Sequence, residues 1–406
     1  MRVLQIVKTT DGAKWAVDQV AELCKASIDV HVALPNLTGR LAERWQKTGA
    51  TLHCVDLDMP VKRPWQLPAR MQSARQLVER ISPDIIHSHF FGSTLVLRYA
   101  LGKQHPVPRV FQVPGPLHLE HALYRQWELS AAGHNDHWIA SSRYVKRLYE
   151  HAGVSPDRLY LSYYGNYHES SAVSREDVRT KLGIAPDAFA VGNVSFMYPP
   201  KYFLGQTKGL KRHEDLLDAL GLVLRKRADV QGILVGGQWG KGHSYEARLR
   251  ARARKIGKGR ILMPGHLSAN QAVGVWSGFD LAVHVPASEN CGGVVEPMLS
   301  GVPVIASNTG GLPEVVLDGI TGRLVERGNT EQLARTIDEV LNNLDEYRRL
   351  AARGKLLVSH MFDARRTARE IGTIYQRLKN TNADMPVAFD SGRFLSEAAE
   401  SGVIGN

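Results

Sequence analysis

Long apolar runs are missing from this chain. In 406 residues no stretch approaches the roughly 20 apolar residues that a membrane-crossing helix requires. Cysteine is nearly absent as well. Cys24, Cys54 and Cys291 are odd in number and lack Cys-x-x-Cys spacing, so neither a disulfide framework nor a structural zinc site is expected. That scarcity suits a reducing, cytoplasmic setting. Met1 to Val7 carry one basic side chain and no long apolar core, so they read as a strand and not as a signal peptide. Acidic charge is in short supply: 51 Lys and Arg face 40 Asp and Glu, a formal +11 that favours anionic partners such as nucleotides, phospholipid headgroups or nucleic acid. What is present in ordinary amount, 43% apolar and 22% charged residues, excludes a chain disordered throughout.

The recurring pattern is a short β-branched or aliphatic run, a Gly or Pro, and then an amphipathic helix. This alternation predicts parallel βαβ units. Val3–Lys8, Val30–Leu34, Ile85–His87, Val107–Val113, His137–Ala140 and Arg158–Tyr164 read as strands of a first series, with helices around Trp15–Ser27 and Met71–Arg80. Asn166–Asp187 is polar and Ser/Glu-rich, as an interdomain linker with an entry helix would be. A second series follows, with strands at Ala188–Phe196, Val230–Val235, Arg260–Met263, Leu281–Val285 and Val302–Ala306. Helices are expected at Leu210–Arg227, Ser244–Ile256, Ala269–Ser277 and Thr330–Leu344, and another ends near Leu378. Asn380–Asn406 shows no sustained apolar face and reads as a disordered tail. The fold class is therefore α/β, with two doubly wound halves whose strand carboxyl ends would face a shared ligand cleft.

The densest chemistry lies between Pro286 and Val316. A strand ends in a carboxylate, Glu289, then Asn290 and Cys291 lead to Gly292 and Gly293, which bare the backbone. A short helix is expected next, carrying Glu296 in its first turn. Free N–H groups at such a helix start, with their partial positive charge, suit a diphosphate, and a first-turn carboxylate suits the vicinal hydroxyls of a ribose.

This segment is similar to the nucleotide-sugar signature of glycosyltransferase family 4, a family of retaining transferases with the GT-B fold. The matching residues are Glu289, Glu296, Ser300-Gly301-Val302-Pro303-Val304 and Gly310-Gly311-Leu312-Pro313-Glu314. The two glutamates enclose six residues, one fewer than is usual in the family. Glu289 keeps the upstream role, because Ser288 cannot supply the negative charge. Lys211 followed by His213-Glu214-Asp215-Leu216-Leu217 resembles the family's Lys-Gly-His-x-x-Leu-Leu pattern, with Arg212 in the glycine's place.

The resemblance implies two Rossmann-like domains facing a central cleft: an acceptor-side domain over 1–165 and a nucleotide-sugar domain over 166–360. A helix over 361–380 would pack back toward the first domain, leaving 381–406 as the tail. It implies that Glu289 contacts donor-sugar hydroxyls, Glu296 the ribose, and the turn Asn290-Cys291-Gly292-Gly293 the diphosphate and sugar. Lys211 would meet the phosphates with a second cation from among Lys201, Lys208 and Arg212. The nucleobase would lie by Pro264-Gly265-His266-Leu267, where His266 either stacks or stands in solvent, with Gly236-Gly237 at the neighbouring strand end. In the first half Gly12 is a short form of the family's Gly-Gly loop, and His118 is the nearest candidate for the strand-end histidine that approaches the sugar.

The implied activity is transfer of a hexose from a nucleoside-diphosphate sugar, UDP-linked by preference, to an acceptor hydroxyl in glycan, polysaccharide or glycoconjugate synthesis. The nucleotide sugar is a co-substrate, so no cofactor and no metal are expected. Asp56-Leu57-Asp58 has a metal-binding spacing but lies away from the donor signature and reads as a loop. His87 and His89 lack a third ligand and read as structural. The acceptor would be a small molecule, a saccharide or a lipid-linked sugar, the last reached at the anionic inner face of a membrane. Two rivals predict different chemistry: a nucleotide-sugar epimerase on the same bilobal fold, and a basic nucleic-acid-binding protein. The latter needs a cationic stripe with interleaved aromatics, whereas the one dense run, Arg248–Arg260, has the spacing of a solvated helix face.

Overall fold

The structure, a computed structural model, describes residues 1–167, 173–202, 205–267, 274–380 and 383–403. The chain divides into two compact units, Met1–Tyr167 with His360–Asp390, and His168–Ser359 with Ser391–Asn406.

In the first unit seven strands form one parallel sheet: β1 (Arg2–Ile6), β2 (Asp29–Leu34), β3 (Thr51–Cys54), β4 (Ile85–Ser88), β5 (Arg109–Val113), β6 (Asp136–Ala140) and β7 (Leu159–Leu161). Their spatial order is β3-β2-β1-β4-β5-β6-β7, so the winding reverses between β1 and β4. Strands such as Ile85-Ile86 and Val110-Phe111 are buried on both faces, which is why they read as apolar runs without alternation. The helix Ala364–Lys379 belongs to this unit. It buries Ala368, Ile371, Ile374 and Tyr375 in the same core as Val17 and Val20 of the helix Lys14–Lys25. At about 1.5–3 kcal/mol for each large side chain, that face accounts for the return of the chain after the second unit.

The second unit holds a six-stranded parallel sheet: β8 (Phe189–Val194), β9 (Val230–Val235), β10 (Ile261–Gly265), β11 (Leu281–His284), β12 (Val304–Ser307) and β13 (Arg323–Val325). Its order, β10-β9-β8-β11-β12-β13, reverses between β8 and β11. In open α/β sheets ligands settle outside the carboxyl ends of the strands at such a reversal.

Two expectations need correction. The tail is not uniformly disordered: Ser391–Glu400 is a helix of the second unit. Its Leu395 and Ala398, three residues apart, are buried, and the Ser391 hydroxyl donates to the Glu314 carbonyl at 2.8 Å. The helix expected over Ala269–Ser277 lies partly outside the described residues, and Val275–Gly278 forms a single 3₁₀ turn.

Candidate active site

At the β8/β11 reversal several polar side chains meet. β11 ends at His284, and the loop Val285–Cys291 leads into the helix Gly292–Leu299. On the other side of the reversal, the segment after β8 runs through Lys208 and Lys211 into the helix His213–Lys226. The Ala287 amide donates to the Leu210 carbonyl at 2.9 Å, tying the two loops together.

Lys211 and Glu289 form an ion pair, Nζ to Oε2, with both side chains about five-sixths buried. The same Glu289 oxygen lies 3.0 Å from His284 Nε2. Burial alone would raise the Glu289 carboxyl, but the Lys211 charge and the His284 hydrogen bond carry it well below the usual carboxylate range. His284 is itself held below its ordinary value by burial and so stands neutral beside the carboxylate.

Glycines let the backbone close on this centre. A Cβ on Gly293 would collide with the His284 ring, so the helix start presses against the imidazole. Gly310, at φ 61°, would put a Cβ on the Glu289 carbonyl oxygen. The loop Gly310–Glu314 thus buttresses the turn that carries Glu289, and Cys291 Sγ lies 3.4 Å from the Gly311 carbonyl. Among the described residues no side chain caps the helix at Cys291, and Gly292 is exposed, so the amino end of this helix is open to an anion.

The other expected residues divide. Lys208 pairs with the buried Asp215, and Arg212 Nη1 lies 3.6 Å from the same carboxylate, so both cations are already engaged. Lys201 is exposed, and its backbone amide donates to the Gln206 side chain. Glu296 is not in the first turn as expected: the helix begins at Gly292, which places Glu296 fifth, on the solvent side, with no side-chain partner among the described residues. In the first unit Gly12 is partly exposed, and Ala13 starts the following helix at φ 61°. His118 packs into an aromatic cluster, its ring 5.3 Å from Phe91 and 5.7 Å from Phe111, with Nε2 3.4 Å from the Tyr149 hydroxyl. Burial pulls its imidazole down to about 4. His87 and His89 are buried: His87 Nδ1 lies 2.5 Å from the Tyr375 hydroxyl, and His89 Nε2 lies 2.8 Å from Gln5 Oε1. Asp56 pairs with Arg70 at 2.6 Å, and among the described residues no group of three His, Cys, Asp or Glu is placed to hold a metal ion.

Around His266 the structure supplies residues that sequence reasoning passed over. Gly236, at φ 132°, lets its loop lie against the Ser195 carbonyl. A parallel bridge between Met197 and Gln238 extends the β8/β9 pairing beyond the strand ends. It brings Phe196 and Trp239 to 4.9 Å, Tyr198 and Trp239 to 5.6 Å, and Phe196 to 5.5 Å from His266, stacked at 20°. Leu267 is half-buried beside them, and Trp239 is half-exposed. The Tyr198 phenol is raised first by burial and then by the Glu289 charge. Three aromatics, Phe196, Tyr198 and Trp239, shortly after the ends of β8 and β9 were the available signal.

The two units, each a doubly wound parallel sheet, define a protein of the GT-B class. The family model for Glycosyltransferase Family 4 matches residues 12–165, and that for Glycosyl transferases group 1 matches residues 200–357, together well over half of the chain. The chain belongs to glycosyltransferase family 4. Among curated relatives it is 33% identical over 170 residues to a D-inositol 3-phosphate glycosyltransferase of Mycobacterium sp. strain KMS. That match covers 41% of this chain and 36% of the relative, so the chain spans about a third of the relative's length. Among solved structures it resembles HepE of Anabaena in complex with UDP and glucose, with a TM-score of 0.77, 21% identity, and 93% of this chain and 99% of that one covered. It also resembles sucrose-phosphate synthase of Thermosynechococcus elongatus, with a TM-score of 0.72, 19% identity, and 94% and 100% covered. No helix among the described residues is long and apolar enough to cross a membrane.

Proposed function

We propose that this protein is a retaining glycosyltransferase that moves a hexose from a nucleoside-diphosphate sugar, UDP-linked by preference, to an acceptor hydroxyl. The observation that carries the reading is the Lys211–Glu289 pair at the β8/β11 reversal, beside the open helix start at Gly292. An ammonium group and uncapped amides suit the diphosphate, and a carboxylate held ionised suits sugar hydroxyls as hydrogen-bond donors. The aromatic group of Phe196, Tyr198, Trp239 and His266 offers flat faces to a nucleobase, and Glu296 would accept from the ribose.

As the sugar–phosphate bond breaks, the anomeric carbon gains oxocarbenium character and the nucleoside diphosphate gains negative charge. Lys211 and the amides of Gly292 and Gly293 stabilise that charge where it develops, so no metal ion and no separate general acid are required by the proposal. The departing phosphate oxygen takes the proton of the incoming acceptor hydroxyl on the same face of the sugar, which preserves the anomeric configuration. The acceptor is proposed to be a saccharide or lipid-linked sugar of glycan synthesis. The net charge of +11 supports work at an anionic membrane face, and three free cysteines support a cytoplasmic setting.

The test is titration of the purified chain with UDP-, GDP- and ADP-sugars, followed by turnover with an acceptor panel and assignment of the product anomer by NMR. A transferred hexose with retained configuration supports the proposal. Inversion of a sugar centre with no acceptor present would instead mark an epimerase, and no uptake of any nucleotide sugar would overturn both.

A further inference from the structure

A chain of buried hydrogen bonds runs beneath the Lys211–Glu289 pair, and its direction can be deduced. It begins at the Val283 carbonyl, which can only accept. Asn193 Nδ2 lies 2.8 Å from it, so the amide nitrogen of Asn193 faces β11 and its oxygen faces away. The same Nδ2 lies 3.2 Å from His284 Nδ1 and must donate to it. A neutral imidazole that accepts at Nδ1 carries its proton at Nε2, and that proton points at Glu289 Oε2, 3.0 Å away. On the other side Asn193 Oδ1 accepts from the Ser195 hydroxyl, whose oxygen lies 3.2 Å from His213 Nε2. His213 Nε2–H, the Ser195 hydroxyl, one N–H of Asn193 and His284 Nε2–H therefore donate in sequence toward Glu289, and bonds aligned in this way polarise one another. Asn193, His213 and His284 are buried and sit on β8, the helix start after it, and β11, across the sheet reversal.

We propose that His284 is a positioning residue of the donor site, locked by Asn193 in the tautomer that donates from Nε2 to Glu289. This rests on the reading of Glu289 as a donor-sugar ligand. His284 does not touch substrate. It holds the carboxylate in one rotamer, and because Gly293 abuts its ring it also sets the distance between that carboxylate and the amides at the helix start. Asn193 is the element that selects the tautomer. An aspartate there sets a second carboxylate against the ring, so the imidazole takes up a proton at Nδ1 while keeping the one it donates to Glu289, and the neutral tautomer is lost.

The experiment uses the full chain and two readouts. Long-range ¹H–¹⁵N NMR of the histidine rings reports the protonation state, and is expected to show His284 protonated at Nε2 alone in the wild type and at both nitrogens in Asn193→Asp. Turnover with the best donor, beside calorimetry with UDP alone, separates positioning from folding. His284→Leu is expected to lower kcat about tenfold or more while UDP binds within about threefold of the wild type. His284→Gln, whose amide can still donate to Glu289, is expected to recover most of the loss. A wild-type Nδ1–H tautomer, undiminished turnover in His284→Leu, or equal losses in the Leu and Gln variants would overturn the proposal. If Asn193→Asp does not fold, the wild-type tautomer and the two His284 variants decide it. A wild type that takes up no nucleotide refutes the transferase reading, and the tautomer spectrum then decides the lock separately.

Discussion

The backbone of Gly293 passes so close to the His284 imidazole that no Cβ fits between them. One glycine therefore couples the start of the helix Gly292–Leu299 to the histidine that contacts Glu289. Gly293→Ala is expected to destabilise the second unit by about 1–3 kcal/mol, because neither the ring nor the helix start can move freely. Chemical denaturation with nucleotide titration checks this. The variant should bind UDP more weakly than the wild type, whereas a Gly292→Ala variant, with open space at its Cβ position, should be near neutral in stability.

Removing the pair at the sheet reversal tests the chemistry more directly. Lys211→Met leaves Glu289 without its strongest partner and deprives the leaving diphosphate of a cation. A loss of about 100- to 1000-fold in kcat/KM is expected, the scale for deleting one preorganised electrostatic group. Turnover that survives within a few-fold would show that Lys211 does not face the developing charge. Glu296→Ala, whose side chain stands in solvent, should raise the donor KM without altering stability.

A separate expectation concerns the first unit alone. Arg98 is fully buried, donates to Asp136 at 3.1 Å, and pairs with Glu128, while Arg109 reaches Asp136 at 2.6 Å. Replacing one member strands charges that the interior cannot solvate. Arg98→Met is expected to cost about 3–5 kcal/mol, read from the denaturation midpoint.

Acid should destabilise both units. Burial holds His87 and His213 down to about 3, whereas the unfolded chain titrates them near its ordinary value of about 6.5. Below that pH the unfolded state binds more protons, so the stabilisation present above it is lost progressively as pH falls toward 3. At pH 5 each of these two groups is expected to cost about 2 kcal/mol, and the pH 7-to-5 change in unfolding midpoint of a single-histidine variant against the wild type isolates one of them. His213→Gln should flatten the slope of the second unit.

Much of this architecture was legible before the structure. Doubly buried strands such as Leu281–Val283 must be apolar runs, and the segment from Glu289 to Glu314 carries carboxylates, glycines and a Pro-Val strand at a recognisable spacing. Other features depend on contacts between distant segments. The place of Glu296 turns on where the helix begins, which Gly292 decides and the glutamate spacing does not. The helix Ser391–Glu400 is hard to read because its buried apolar face is only Leu395 and Ala398, and the Ser391–Glu314 hydrogen bond that ties it to the second unit links segments distant in sequence. His284 and Asn193 interrupt otherwise apolar strands. A lone polar residue on each of two adjacent buried strands was the trace of the network that joins them.

The most direct measurement is calorimetric titration of the wild type and of Lys211→Met with UDP and UDP-glucose. The expected result is saturable binding to the wild type, weakened about 10- to 100-fold in the variant, the span for losing one charge-assisted hydrogen bond. Equal binding to both proteins, or none to the wild type by any nucleoside diphosphate, would contradict the account.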